Sequence, residues 1–195
     1  MNYEIKSLSP DLVNDYLSFF DLEEHSDNMA EHKCFCVCWC SDDHRSGLDR
    51  MSTAQKRREL AEQYVKNGKI KGYLAFEGNR VVGWCNANKK SECRNCISWL
   101  RSMRDLLVPT TVDERVKSVF CFTVANDHRR TGVATQLLKR VCEDAKEEGY
   151  QFVEAYPKKA IKGWDDFEGP LAMYQRQGFV LEADRGDYLV LRKYL

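Results

Sequence analysis

Polar and apolar positions divide this chain of 195 residues into short alternating stretches and longer cycling ones. Tyr3–Leu8 alternates and predicts a strand, and Pro10 opens a helical stretch, DLVNDYLSFF. CFCVCWC at 34–40 alternates as strictly, which predicts a strand with its four thiols on one side. STAQKRRELAEQYVKNG predicts a helix, opened by a hydroxyl cap and closed at Gly68. Tyr73–Phe76 and Val81–Asn86 predict a hairpin across EGNR, with Gly78 and Asn79 at its turn. Residues 87–117 read as polar and irregular, with weak helical character near Ile97–Leu106. Ser118–Val124 is apolar and reads as a central strand. Thr131–Gly149 then switches to helical period, with Val133, Leu137, Leu138, Val141, Cys142 and Ala145 on one face. Phe152–Tyr156 predicts a strand, Pro157–Gly169 a loop, and Leu171–Gln177 a short helix stopped by Gly178. Phe179–Leu181 and Tyr188–Tyr194 predict a closing hairpin. With no repeat or linker in this order, the expectation is one α/β unit over 1–195, a mixed central sheet with helices on both faces.

Composition narrows the function more than the fold. An apolar fraction of 43% is enough for a core, and 30 basic residues against 30 acidic ones leave no net field to attract nucleic acid. Lys56, Arg57 and Arg58 then read as solvated helix surface. No run of eighteen apolar residues predicts a membrane span, and the opening MNYEIKSLSPD lacks the apolar core of a signal peptide. The expectation is a cytoplasmic protein, monomer or homodimer, with reduced cysteines. Nine cysteines, an odd number, argue against a closed disulfide framework.

The chemistry concentrates between Val119 and Cys142, VFCFTVANDHRRTGVATQLLKRVC. An apolar strand runs into a loop with two arginines and a glycine, and the loop opens directly into an amphipathic helix. Unpaired N–H groups, a helix N-terminus and two guanidinium groups therefore meet at the end of one strand, an arrangement suited to phosphate. A small residue at 132 allows close backbone approach, and one at 134 keeps a side chain off the same groups.

Arg129, Gly132 and Ala134 make this segment resemble the phosphate-binding signature of the GCN5-related N-acetyltransferases, an arginine or glutamine followed by x-x-G-x-G or x-x-G-x-A. Asn126 departs from the proline often found in that family. GPLAMYQRQGF resembles its second hallmark, a tyrosine on a short helix four residues before Gly-Phe, with Tyr174 ahead of Gly178 and Phe179. The resemblance is close over 118–195, leaving the N-terminal half as the acceptor side.

That resemblance implies acetyl-CoA as donor and direct attack by a primary amine acceptor, a small molecule or a peptide. The backbone of Phe122 and Val124 is expected to hold the pantetheine arm. The N–H groups of Arg130, Thr131, Gly132, Val133, Ala134 and Thr135, with the Arg129 side chain, are expected to cradle the pyrophosphate. Tyr174 is expected to protonate the departing thiolate, or to hydrogen-bond to its sulfur. Attack needs a neutral amine and therefore a base, for which Glu154 is the first candidate. Asp165, Asp166 and Glu168 are others, and their acidic rim favours a cationic acceptor.

Other readings stay open. The sequence predicts no metal ligand set for catalysis. Two of the cysteines at 34–40 joining Cys93 and Cys96 would nevertheless make a zinc-stabilised interaction module, against which stands the reading of small buried thiols. Cys121 is a candidate covalent acyl carrier. Trp99 and Trp164, in loops, are candidates to shape the acceptor site, whereas Trp39 and Trp84 read as core. A non-catalytic acyl-CoA sensor shares every donor-site residue. A dinucleotide fold is disfavoured by the absence of G-x-G-x-x-G after an early strand.

Overall fold

The computed structural model describes residues 2–23, 27–41, 51–103, 115–160 and 167–195. Its centre is a seven-stranded sheet in the order β1-β2-β3-β4-β5-β7-β6. The strands are β1 (Glu4–Ser7), β2 (Gly72–Glu77), β3 (Arg80–Lys89), β4 (Val116–Val124), β5 (Phe152–Ala155), β6 (Val180–Arg185) and β7 (Tyr188–Tyr194). Only β4 and β5 pair in parallel, and the crossover between them is the amphipathic helix expected from the sequence.

Helices cover both faces. α1 (Val13–Leu22) lays Tyr16 against the indole of Trp84, with ring centroids 4.9 Å apart. α2 (Ala54–Lys66) packs on α1 and begins where the Thr53 hydroxyl accepts the Lys56 N–H at 3.2 Å. A short helix, α3 (Lys90–Cys93), follows β3 directly. On the opposite face α4 (Val133–Glu147) buries the six apolar residues that periodicity predicted. Adjacent residues of β3 mark the two sides, since Trp84 meets α1 whereas Gly83 leaves room for Val133 and Leu137 of α4. α5 (Leu171–Arg176) precedes the closing hairpin, whose first strand starts at Val180 and is longer than the sequence suggested.

Two irregularities in β4 shape what lies above it. Asn86 pairs with Cys121 and Ala87 with Val119, so Phe120 is an extra residue, a bulge. Phe120 and Cys121 consequently contact the same covering segment: Phe120 stacks on Trp39 at 4.5 Å, and the Cys121 Sγ lies 3.9 Å from that of Cys36. Pairing between β4 and β5 also stops at Val119 and Ala155, while β4 runs on to Val124. Beyond that point no residue of β5 pairs with β4, and the Phe122 N–H turns to the Phe167 carbonyl instead.

The segment at 34–40 corrects the sequence reading. It is not a strand but a tight coil with a turn of 3-10 helix at Val37–Trp39. Phe35 and Cys36 are both left-handed, with φ of 47° and 50°. Partners outside the segment hold that conformation. Tyr16 donates its hydroxyl proton to the Phe35 carbonyl at 2.8 Å, and the Trp84 indole N–H points at the Cys36 Sγ at 3.3 Å. Cys36 and Cys40 are buried while Cys34 and Cys38 are half-buried, so the four thiols share no face.

Candidate active site

The strand–loop–helix junction folds as its residues require. Ala125, buried, ends the strand by donating to the Val82 carbonyl at 3.0 Å, and a 3-10 turn follows at Asn126–His128. Thr131 anchors the far side, its hydroxyl donating to the His128 carbonyl at 2.6 Å and meeting the Tyr3 hydroxyl at 2.8 Å. Gly132 is the N-cap of α4, with φ +96° and open space where a Cβ would stand. No side chain caps this helix, and the first bond of its ladder runs from the Gln136 N–H to the Gly132 carbonyl at 3.0 Å. The N–H groups of Val133, Ala134 and Thr135 therefore precede the ladder at the positive end of the helix dipole. Arg129 and Arg130 are exposed beside them. Arg130 has φ +63°, a conformation that costs a non-glycine residue about 1 kcal/mol or more. These donors, with the open space over Gly132, fit a pyrophosphate.

His128 ties the loop to the sheet. Its Nδ1 meets Asp127 at 2.7 Å and its Nε2 meets Glu77 at 3.0 Å, while Arg80 bridges Asp127 and Glu23. Asp127 first, then Glu77, raises the His128 pKa above its ordinary value of 6.5. Arg80, then His128, lowers Asp127 to about 2. A raised histidine contributes fully below the ordinary value, and that contribution is lost as pH rises through the folded value. The melting-temperature difference between wild type and His128→Gln is accordingly expected to be largest near pH 5.5 and to close toward pH 9. A constant difference across that range would mean that the imidazole acts only through its neutral form.

Beyond the splay, Tyr174 on α5 is fully buried, packed edge-on to Phe179 at 5.2 Å and tilted against Phe122 at 6.5 Å. Its hydroxyl donates to the Glu168 carbonyl at 2.5 Å. The Phe122 N–H donates to the Phe167 carbonyl at 2.7 Å. Val124 is half-buried and pairs with Gly83. The Glu168 carboxylate lies 3.9 Å from the Lys158 Nζ and close enough to Cys121 to act on its thiol. Asp165, Asp166 and Trp164 lie outside the described residues.

Glu154 stands apart from this cleft. Fully buried, it receives the Lys90 Nζ and the Tyr156 hydroxyl at 2.7 Å on one oxygen and the Arg192 Nε at 2.7 Å on the other. Ser118 extends the network to the Tyr156 hydroxyl at 2.9 Å, and Glu182 takes the Arg192 Nη1 at 3.0 Å. Sequence reasoning assigned Lys90 no role: it stands beside Lys89 in a polar stretch, at the first residue of α3, and nothing local marks it as buried. Trp99 is buried too, edge-on to Phe120 and Tyr156 at 6.1 Å, so it belongs to the core and not to an open loop. Trp84 is core as expected, and Trp39 is half-buried over Phe120.

The thiols are poor nucleophiles as they stand. Contact with Cys36 lowers the Cys121 pKa and burial raises it, with a net upward shift, and burial pushes Cys38 to about 11. Among the described residues no group of three or more His, Cys, Asp or Glu is arranged to hold a metal ion, and no helix is long and apolar enough to cross a membrane.

Comparison with known proteins agrees with this geometry. A sequence model described as the Acetyltransferase (GNAT) family matches residues 39–179. No curated protein matches the chain in sequence. In fold it is similar to the ribosomal-protein-alanine N-acetyltransferase of Brucella melitensis, at 15% identity and a TM-score of 0.55 over 98% of this chain and 99% of that one. It is similar to the PaiA N-acetyltransferase of Thermoplasma acidophilum, solved with coenzyme A, at 11% identity and 0.56 over the whole of both chains. A third, the GNAT domain of S. lividans PAT, shares 16% identity at 0.56 over 99% of this chain and 90% of that one.

Proposed function

The chain belongs to the GNAT acetyltransferase family, and from that premise we propose that it moves an acetyl group from acetyl-CoA to a primary amine. The observation that carries this reading is the uncapped N-terminus of α4, with left-handed Gly132 and exposed Arg129 and Arg130 beside it, directly after the strand that carries Phe122 and Val124. The donor pyrophosphate lies across the N–H groups from Arg130 to Thr135 and the Arg129 guanidinium neutralises part of its charge. The pantetheine arm runs along Phe122 and Val124. The amine nitrogen attacks the thioester carbonyl, the carbon–sulfur bond breaks, and the Tyr174 hydroxyl gives its proton to the leaving thiolate.

For the amine's proton the cleft offers Glu168 in preference to Glu154. Glu168 belongs to the segment that touches Tyr174, whereas Glu154 is fully buried and held by two cations. Its carboxylate also suits a cationic acceptor, small molecule or peptide.

Calorimetric titration with acetyl-CoA, followed by a thiol-release screen of amines, tests the reading. Saturable binding and amine-dependent release are expected, with Glu168→Gln keeping donor affinity and losing tenfold or more in kcat. A wild type that binds no acetyl-CoA would end it. The engagement of Phe122 and Tyr174 by the chain itself favours one second reading, an acyl-CoA sensor. Binding without release for any amine would select the sensor.

A further inference from the structure

Two groups that the proposed chemistry requires at the cleft are occupied by consecutive carbonyls of one segment. The Phe122 N–H, on β4 beyond the last residue paired to β5, donates to Phe167 O at 2.7 Å. The Tyr174 hydroxyl donates to Glu168 O at 2.5 Å. Gly169 follows with φ +78°, and a Cβ there would stand 3.0 Å from the Met173 Cε and 3.3 Å from the Phe122 ring. Only glycine therefore lets the chain pass this close to Phe122 while presenting both carbonyls.

We infer that Phe167–Gly169 is an autoinhibitory strap: its carbonyls hold the Phe122 N–H and the Tyr174 hydroxyl, and both bonds are given up when an acyl-thioester donor binds, through a local shift that leaves the Glu168 side chain at the site. The inference rests on the acyl-donor reading above. Its physical basis is competition for one donor group. Phe122 is buried, so its N–H needs an acceptor whether or not a ligand is present. The strap supplies that acceptor in the empty state, and the amide carbonyls of a pantetheine arm compete for it. The apparent donor affinity is then the intrinsic affinity reduced by the fraction of molecules whose strap is open. Displacement also frees the Tyr174 hydroxyl, so the proton donor becomes available only once the donor is seated.

This makes an unusual demand on two variants. Tyr174→Phe removes one of the strap's hydrogen bonds and leaves the Glu168 carbonyl without that donor. Gly169→Ala strains the strap without touching Tyr174. Both should bind acetyl-CoA more tightly than wild type, with Kd lower by about threefold or more. Little is lost in the bound state of Tyr174→Phe, because a thioester sulfur is a weak acceptor. Turnover of Tyr174→Phe should nevertheless fall, so that binding and chemistry move in opposite directions. Hydrogen exchange at the Phe122 amide should also be faster in both empty variants. Calorimetric titration with acetyl-CoA decides the matter. Unchanged or weaker affinity in Tyr174→Phe overturns the strap, whether or not Gly169→Ala folds. A wild type that binds no donor removes the functional reading as well, whereas wild-type binding with no tightening in the variants removes the strap alone.

Discussion

Gly132→Asp abolishes donor binding while leaving the fold intact: this is the expected result of the most severe single change at the pyrophosphate cradle. The position tolerates atoms, since nothing lies within 4 Å of where a Cβ would be. It does not favour an L residue, because φ is +96°, and that strain costs about 1–2 kcal/mol. For a chain of this size such a cost lowers the melting temperature by only a few degrees. Binding suffers far more. A carboxylate at the N-cap takes up the helix's positive end and confronts the donor's phosphates with like charge. Acetyl-CoA affinity should drop by about a hundredfold or more, equivalent to about 2.7 kcal/mol. Gly132→Ala separates the two effects, since it carries the strain without the charge and should weaken binding less than tenfold. Calorimetry of the two variants beside wild type makes the comparison. If Gly132→Asp binds as wild type does, the pyrophosphate is held elsewhere than at α4.

The elements of the proposed donor side were legible because they are local in sequence. One strand, one loop and one helix make up the proposed cradle, and the helical period of Val133, Leu137, Leu138 and Val141 announced the helix directly. Tyr174 was legible for the same reason, standing four residues before Gly178 on a short helix. What escaped depends on residues far apart. The alternation of CFCVCWC is a strand's alternation, and no glycine or proline within it signalled two successive left-handed residues. Tyr16 and Trp84 impose that turn from outside the segment. The contact between Phe122 and Phe167 joins residues 45 apart through backbone atoms, which carry no side-chain signature. Lys90 and Glu154, 64 residues apart, meet only because α3 leads off β3 and packs against β4, the parallel neighbour of β5. One lysine of a pair in a polar stretch and a lone glutamate in an apolar strand each had an unremarkable local reading. Together they form a buried ion pair.

That pair sets the second large effect. In Glu154→Ala, Lys90 and Arg192 remain in the interior, their side chains 1% and 6% exposed, without the carboxylate that both contact. Removing one partner of a buried charge network costs about 3–5 kcal/mol, a large share of the 5–15 kcal/mol by which a typical domain is stable. Urea denaturation should register this as a lower midpoint with little change in slope. Glu154→Gln keeps acceptor capacity for one cation or for the Tyr156 hydroxyl and should lose less. Adding Lys90→Met to Glu154→Gln should recover part of that loss, since the double change leaves one buried cation, Arg192, which Glu182 still contacts, where the single change leaves two, and a coupling of about 1 kcal/mol or more is expected. The same variants decide what Glu154 does for the reaction. If its work is to hold β5 and β7 against α3 under the acceptor face, Glu154→Gln protein that folds should turn over with an unaltered pH profile. If Glu154 is the base, that protein loses turnover by a hundredfold or more even where it is fully folded, and the sealed network would have to open during the reaction. A Glu154→Ala variant within 1 kcal/mol of wild type would show instead that Lys90 and Arg192 find water, and that the interior here is wetter than its burial implies.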